Sequence, residues 1–239
     1  FGHNGISQFY RVAYMANCSY RSSRPVAAIH NGSIHFVCSI ICKNSTTTSI
    51  KQWKIFHRFN CSFNGIKAEY RSDEVHAQAF AAAACDRTKA VLLESPGSLT
   101  LEVQDVPALS ALAHERGIAV VLDNTWAGPL AFPALERGAD IVIMSLTKHV
   151  GGHSDLMMGS AAAGEEYYAK LRKTAQALGQ VVSPDDASLA LRGLRTMGLR
   201  LERETASVMA LANWLDARPE VARVLCPMLP GSPGHDLWQ

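Results

Sequence analysis

Asp140-Ile-Val-Ile-Met-Ser-Leu-Thr-Lys-His-Val-Gly-Gly-His-Ser-Asp155 is the stretch on which the reading of this chain turns. Ile141 to Met144 form a short apolar strand pattern. That strand delivers two hydroxyls, Ser145 and Thr147, and one lysine, Lys148, to a turn containing Gly151-Gly152. A second apolar run, Val120-Val-Leu-Asp123-Asn-Thr-Trp126, ends in an aspartate 25 residues before the lysine.

Working outward, helix and strand patterns alternate from about residue 65. Val75 to Cys85 is Ala-rich and helical in character, and Lys89 to Glu94 reads as a buried strand closed by Ser95-Pro96-Gly97-Ser98. Val106 to Arg116 carries Val106, Leu109, Leu112 and Ala113 at helical spacing, with Pro107 in the first turn and Gly117 past the end. Ile118 to Leu122 is a β-branched run of the kind buried on both faces of a sheet. Pro133 to Gly138 reads as one helical turn, and Gly159 to Ala163 as a further strand. Helices are expected over Glu165 to Leu178, Asp185 to Leu194 and Leu199 to Ala217, the last with Leu201, Val208, Leu211, Ala212 and Leu215 on its apolar face. Val221 to Leu225 restarts strand character. Alternation at this spacing predicts parallel βαβ units with right-handed crossovers. Glu94, Asp123 and Lys148 then reach one edge of the sheet, where open α/β sheets bind ligands.

Overall averages (239 residues, 48% apolar, 18% charged, net charge +2) conceal a split. Residues 1–64 contain no Leu, Asp or Glu and seven Lys/Arg, whereas residues 65–239 contain 23 Leu and 21 Asp/Glu against 16 Lys/Arg. Such a contrast rarely belongs to one cooperatively packed core. The division expected is an atypical basic segment over 1–64, a cofactor-type α/β domain over 65–197, and a connecting helix with the start of a second domain over 198–239. The first segment has no run of membrane-spanning length. Its sequons at Asn17, Asn31, Asn44 and Asn60 are read as the by-product of an Asn/Ser/Thr-rich tract. Cys38-x3-Cys42 with His30, His35 and His57 fits no zinc-finger spacing, so a basic tail without nucleic-acid binding is expected. Cys85 and Cys226 are isolated and read as reduced, cytoplasmic thiols.

A lysine and an aspartate at neighbouring strand ends, with hydroxyls beside the lysine, suit pyridoxal 5'-phosphate. The lysine bonds the aldehyde and moves a proton, the carboxylate keeps the pyridine nitrogen protonated, and hydroxyls hold the phosphate. Each residue alone has an ordinary reading: a solvated lysine, a turn-forming aspartate, strand-end hydroxyls. Their order and spacing together favour the cofactor. Glu94 either touches it or caps the following turn, and Trp126 is expected to fill core. His149, His153 and Asp155 have a metal-like His-x3-His spacing but lack a further cluster of ligands, so no metal is expected.

On these motifs, residues 65–239 resemble the transsulfuration (Cys/Met metabolism) group of pyridoxal phosphate enzymes, nearest its cystathionine β-lyase branch. Ser145-Leu-Thr-Lys-His-Val-Gly-Gly-His-Ser-Asp155 resembles the lysine signature of the group. Asp123-Asn-Thr-Trp-Ala127 and Glu94-Ser-Pro-Gly-Ser98 are similar to the β-lyase branch, and Leu191 to Arg200 and Pro230 to His235 also match the group. The resemblance implies a fold of the aspartate aminotransferase type, an α/β large domain with a mostly parallel sheet, here incomplete at both ends. It implies Lys148 as the Schiff-base residue, Asp123 as pyridinium partner, and Ser145 and Thr147 as phosphate ligands. The implied reaction is β-elimination from L-cystathionine to homocysteine, pyruvate and ammonia, by a homo-oligomer (dimer or tetramer) without membrane or nucleic-acid partners.

Family residues that precede the lysine motif, a tyrosine and an arginine on the phosphate and a tyrosine on the ring, have no counterpart in matching surroundings. Tyr20-Arg21 and Tyr70-Arg71 therefore inherit no role. The group's substrate-carboxylate arginine lies beyond Gln239. The chain is accordingly expected to be a fragment or fused product. Readings held beside it are γ-lyase or γ-synthase chemistry and a non-catalytic truncated subunit.

Overall fold

The structure, a computed structural model, describes residues 11–15, 38–43, 62–63, 66–70, 77, 80–81, 84–98 and 101–239. The four sequons, Tyr20-Arg21, Arg71 and the histidines His30, His35 and His57 lie outside the described residues. Most of the expected Val75 to Cys85 helix does too, although Ala77, Phe80 and Ala81 are helical.

Among the described residues eight strands make one sheet: β1 (Arg11–Met15), β2 (Cys38–Lys43), β3 (Ser62–Phe63), β4 (Ile66–Tyr70), β5 (Thr88–Glu94), β6 (Ala119–Asp123), β7 (Ile141–Ser145) and β8 (Gly159–Ala163). Their spatial order is β1-β8-β7-β6-β5-β2-β4-β3. At its centre β5, β6 and β7 are parallel neighbours, with Glu94 opposite Asp123 and Asp123 opposite Ile143. β8 returns antiparallel to β7, Ser145 facing Gly159, and β1 and β2 add antiparallel strands to β8 and β5. Strands from the compositionally distinct first segment thus complete both flanks of the sheet.

The central strands are buried because their sequences are continuous apolar runs. Val91, Leu93, Val120, Leu122 and Val142 form a core with Phe80, Val106, Leu109 and Ala113. Fully burying one such Val or Leu contributes ~1.5–3 kcal/mol, so this cluster dominates local stability. Val106, Leu109 and Ala113 come from helix α1 (Val106–His114), which starts where the Ala108 N–H donates to Asp105 Oδ1 at 3.0 Å. The side chain of Asp105 thereby takes one of the amide protons that a helix start leaves unpaired.

A short α2 (Gly128–Ala131) follows β6. The expected helical turn at Pro133 to Gly138 is a single hydrogen-bonded turn, with the Arg137 N–H donating to Pro133 O at 3.2 Å, and it is closed by Ala139 N–H to Ala134 O at 3.0 Å. Beyond β8 come α3 (Glu165–Ala177), α4 (Pro184–Leu194), α5 (Met197–Asp216) and a terminal turn α6 (His235–Trp238). α4 begins at Ser183, whose Oγ accepts the Asp186 N–H at 3.0 Å. Val221 to Leu225 is not a strand: Val224 packs with Met209, Ala212, Cys226 and Leu229 against α5, and apolar packing replaces strand pairing. The apolar face expected on α5 is largely exposed, with Val208 at 42% and Leu211 at 60%, while Ala212 is buried. Cys85 is exposed and Cys226 is buried.

Candidate active site

Three parallel strands in register bring Glu94, Asp123 and Ser145 to the same sheet edge. Lys148 follows three residues later, in the connection from β7 back to β8. That connection leaves and re-enters the sheet side by side, since Ser145 faces Gly159. Its neck is closed by Thr147: the Thr147 N–H donates to Met158 O at 3.2 Å, and the Met158 N–H donates to Thr147 Oγ at 3.0 Å. Within the turn, the Lys148 N–H donates to Ser145 O at 3.2 Å and the Gly152 N–H to Lys148 O at 2.8 Å.

The lysine itself is exposed, whereas its neighbours Leu146 and Val150 are buried with Leu156, Met158, Ala190 and Met197. Two buried apolar side chains, each worth ~1.5–3 kcal/mol, anchor the turn far more strongly than the exposed Arg192–Asp155 ion pair across it. An exposed pair of that kind contributes ~0–1 kcal/mol. α4 approaches the turn closely at Gly193, where any Cβ would collide with Val150 O and stand 2.5 Å from Gly151 O.

Asp123 ends β6 partly buried, and its Oδ1 accepts the Thr125 N–H at 3.0 Å. Thr125 Oγ in turn accepts the Ser145 N–H at 2.8 Å. This relay fixes the end of β7 to the end of β6. Sequence reading assigned Thr125 no part in the site; its only signal was its position two residues after a strand-ending aspartate. Asn124 is buried and holds the following loop through its Nδ2, which donates to Phe132 O at 2.9 Å.

Glu94 is buried, and its Oε1 accepts the Ser98 hydroxyl across the turn. That contact suits the turn-capping reading of Glu94. Trp126 stacks edge-on against Trp238 with ring centroids 5.2 Å apart, in keeping with packing. His149 and His153 face different partners, Glu204 at 3.6 Å and the Gly151 carbonyl at 2.7 Å. Among the described residues no three His, Cys, Asp or Glu side chains gather as metal ligands, and no helix is long and apolar enough to cross a membrane.

The family model for Cys/Met metabolism PLP-dependent enzymes matches residues 35–239. The chain belongs to this family. The match begins well inside the segment that composition set apart. Among relatives, the chain is 46% identical over 154 residues to the cystathionine beta-lyase of Escherichia coli, covering 64% of this chain and 39% of that protein. It is 42% identical over 153 residues to the cystathionine gamma-lyase of Dictyostelium discoideum, covering 64% of this chain and 40% of that one. The crystal structure of metB from Corynebacterium glutamicum superposes with a TM-score of 0.69 at 33% identity, covering 73% of this chain and 45% of that chain. The chain thus spans about two-fifths of the length of these relatives.

Proposed function

We propose that this chain carries the cofactor-binding part of a pyridoxal phosphate-dependent carbon–sulfur lyase acting by β-elimination on L-cystathionine. The observation that carries the reading is the meeting of Asp123 and the Lys148 turn on one edge of adjacent parallel strands, joined through Thr125 and Ser145. The residues suit the cofactor. Lys148 is exposed on a turn held by its neighbours, so its amine is accessible while its backbone is fixed.

When bound, pyridoxal phosphate supplies an electron sink for charge formed at the substrate Cα. Lys148 Nζ would hold the cofactor aldehyde, and its amine would serve to carry the Cα proton. The Asp123 carboxylate would keep a proton on the pyridine nitrogen by charge–charge attraction. Ser145 and Thr147 offer hydroxyl donors to the phosphate. The Thr147 O–H donates to Met158 O at a long 3.3 Å, so it can turn to an anion while its oxygen keeps the Met158 N–H. Self-association of the chain and a cytoplasmic location are part of the same proposal.

The test is incubation of the purified chain with pyridoxal phosphate and L-cystathionine. Pyruvate with homocysteine supports β-elimination. 2-Oxobutyrate with cysteine would assign γ-elimination instead, and neither product from a chain that takes up the cofactor would leave a binding module without lyase activity.

A further inference from the structure

The Leu191 to Arg200 stretch, a family-like motif with no part in the chemistry above, ends in a side chain that reaches the lysine turn. Arg200 stands in the first turn of α5, and its Nη2 donates to His149 O at 2.7 Å, Val150 O at 3.2 Å and Gly193 O at 2.9 Å. Its Nε donates to Thr196 Oγ at 3.2 Å, which aims the guanidinium at the turn. The carbonyls of His149 and Val150 belong to the two residues following Lys148. Gly152 closes the same turn with φ +70°, and a Cβ there would lie no farther than 2.8 Å from Nη1, Cζ and Nη2 of Arg200. The guanidinium therefore lies against the backbone of the turn, and a side chain at position 152 would have to displace it.

We infer that Arg200 is a positioning residue for Lys148: it grips the backbone of the turn from behind and so fixes where the lysine amine is presented. The inference rests on the cofactor reading of Lys148 but concerns this chain's own backbone. A planar guanidinium can bridge several carbonyls at once, whereas a lysine ammonium is a mobile point charge, so Arg200→Lys is not a conservative exchange here. Hydrogen bonds to a charged donor are the strong kind, and the two N–H groups of Nη2 are shared between two carbonyls of the lysine turn and one of α4. The grip contributes position rather than chemistry, because the guanidinium hydrogen bonds go to backbone carbonyls and to Thr196 Oγ.

The experiment compares the 239-residue chain with Arg200→Ala, Arg200→Lys, Gly152→Ala and Gly117→Ala. Gly117 has φ +64° but open space around it, so its substitution reports left-handed backbone strain without a clash. Two readouts are taken: amide hydrogen exchange at Gly151 and Gly152, and the pyridoxal phosphate concentration giving half-maximal borohydride-fixed label on Lys148. Arg200→Ala and Gly152→Ala are expected to raise exchange in the turn and the half-saturating concentration about tenfold each, with exchange in β5 and β6 unchanged. Arg200→Lys is expected to recover neither readout, and Gly117→Ala to match the wild type in both. If Arg200→Ala fails to fold, Gly152→Ala against Gly117→Ala decides alone. Unchanged exchange in the turn of both Arg200→Ala and Gly152→Ala, or equal effects of Gly152→Ala and Gly117→Ala, overturns the inference. Wild-type chain that takes no label at Lys148 overturns the cofactor reading instead, and the exchange data still decide whether Arg200 holds the turn.

Discussion

Replacing Thr125 by valine removes one hydroxyl and almost no volume, and it isolates the tie between the ends of β6 and β7. In the native chain Thr125 Oγ accepts the Ser145 N–H at 2.8 Å, and both residues are partly buried. Thr125→Val leaves that amide without its acceptor, a loss costing ~1–3 kcal/mol; partial access to water places it in the lower part of that range, ~1–2 kcal/mol. For a chain of this size 1 kcal/mol corresponds to about 2–4 °C, so the thermal midpoint should fall by about 2–8 °C. The bond from the Thr125 N–H to Asp123 Oδ1 uses only the backbone of Thr125 and survives. The effect should therefore fall on the β7 end, with weaker pyridoxal phosphate binding in titrations followed by absorbance. Thr125→Ser, which keeps the hydroxyl, should restore both. A Thr125→Val chain that melts within ~1 °C of the wild type and binds the cofactor equally would refute the relay, since even the smallest expected cost exceeds that shift.

Gly193→Ala gains ~1 kcal/mol of helix propensity but drives a Cβ into the Val150 and Gly151 carbonyls, which cannot rotate away. Overpacking of this kind costs ~1–3 kcal/mol, so net destabilisation in urea unfolding is expected, and a more stable variant would contradict the close approach of α4. Thr147→Val should open the neck of the lysine turn, read as faster exchange of the Met158 amide that Thr147 Oγ now accepts, whereas Thr147→Ser should not. The Tyr167 phenol is held above its ordinary value, first by burial and then by the charges of Asp140 and Glu166. Deprotonation is thus harder in the folded chain than in the unfolded one, and Glu166→Gln should let the Tyr167 phenolate form at lower pH in an ultraviolet titration; an unmoved transition would remove Glu166 as a cause.

The centre of the fold was legible because its signals are local. Val120 to Leu122 and Ile141 to Met144 are apolar runs long enough only for strands, and Pro107 in the first turn with Gly117 past the end brackets α1. The convergence of Asp123 with the Lys148 turn followed from parallel crossovers alone. What the sequence concealed depends on partners distant along the chain. β1 pairs with β8 and β2 with β5, and neither pairing leaves a trace in local pattern. Composition divided the first 64 residues from the rest, yet hydrogen bonding between strands is indifferent to net charge, and the sheet crosses that division. Val221 to Leu225 shows the converse: strand character in the sequence, but side-chain packing against α5 in the structure. The roles of Thr125 and Arg200 were hidden for the same reason, since each is defined by a backbone group 20 or more residues away.

The central claim is that Asp123 and Lys148 serve one pyridine ring, and the most direct measurement is the 15N chemical shift of ring-labelled pyridoxal phosphate bound to the chain at neutral pH. The account predicts a protonated nitrogen in the wild type and an unprotonated one in Asp123→Asn, with the label fixed on Lys148 in both. Identical nitrogen shifts in the two proteins, or a label fixed on another lysine, would contradict it.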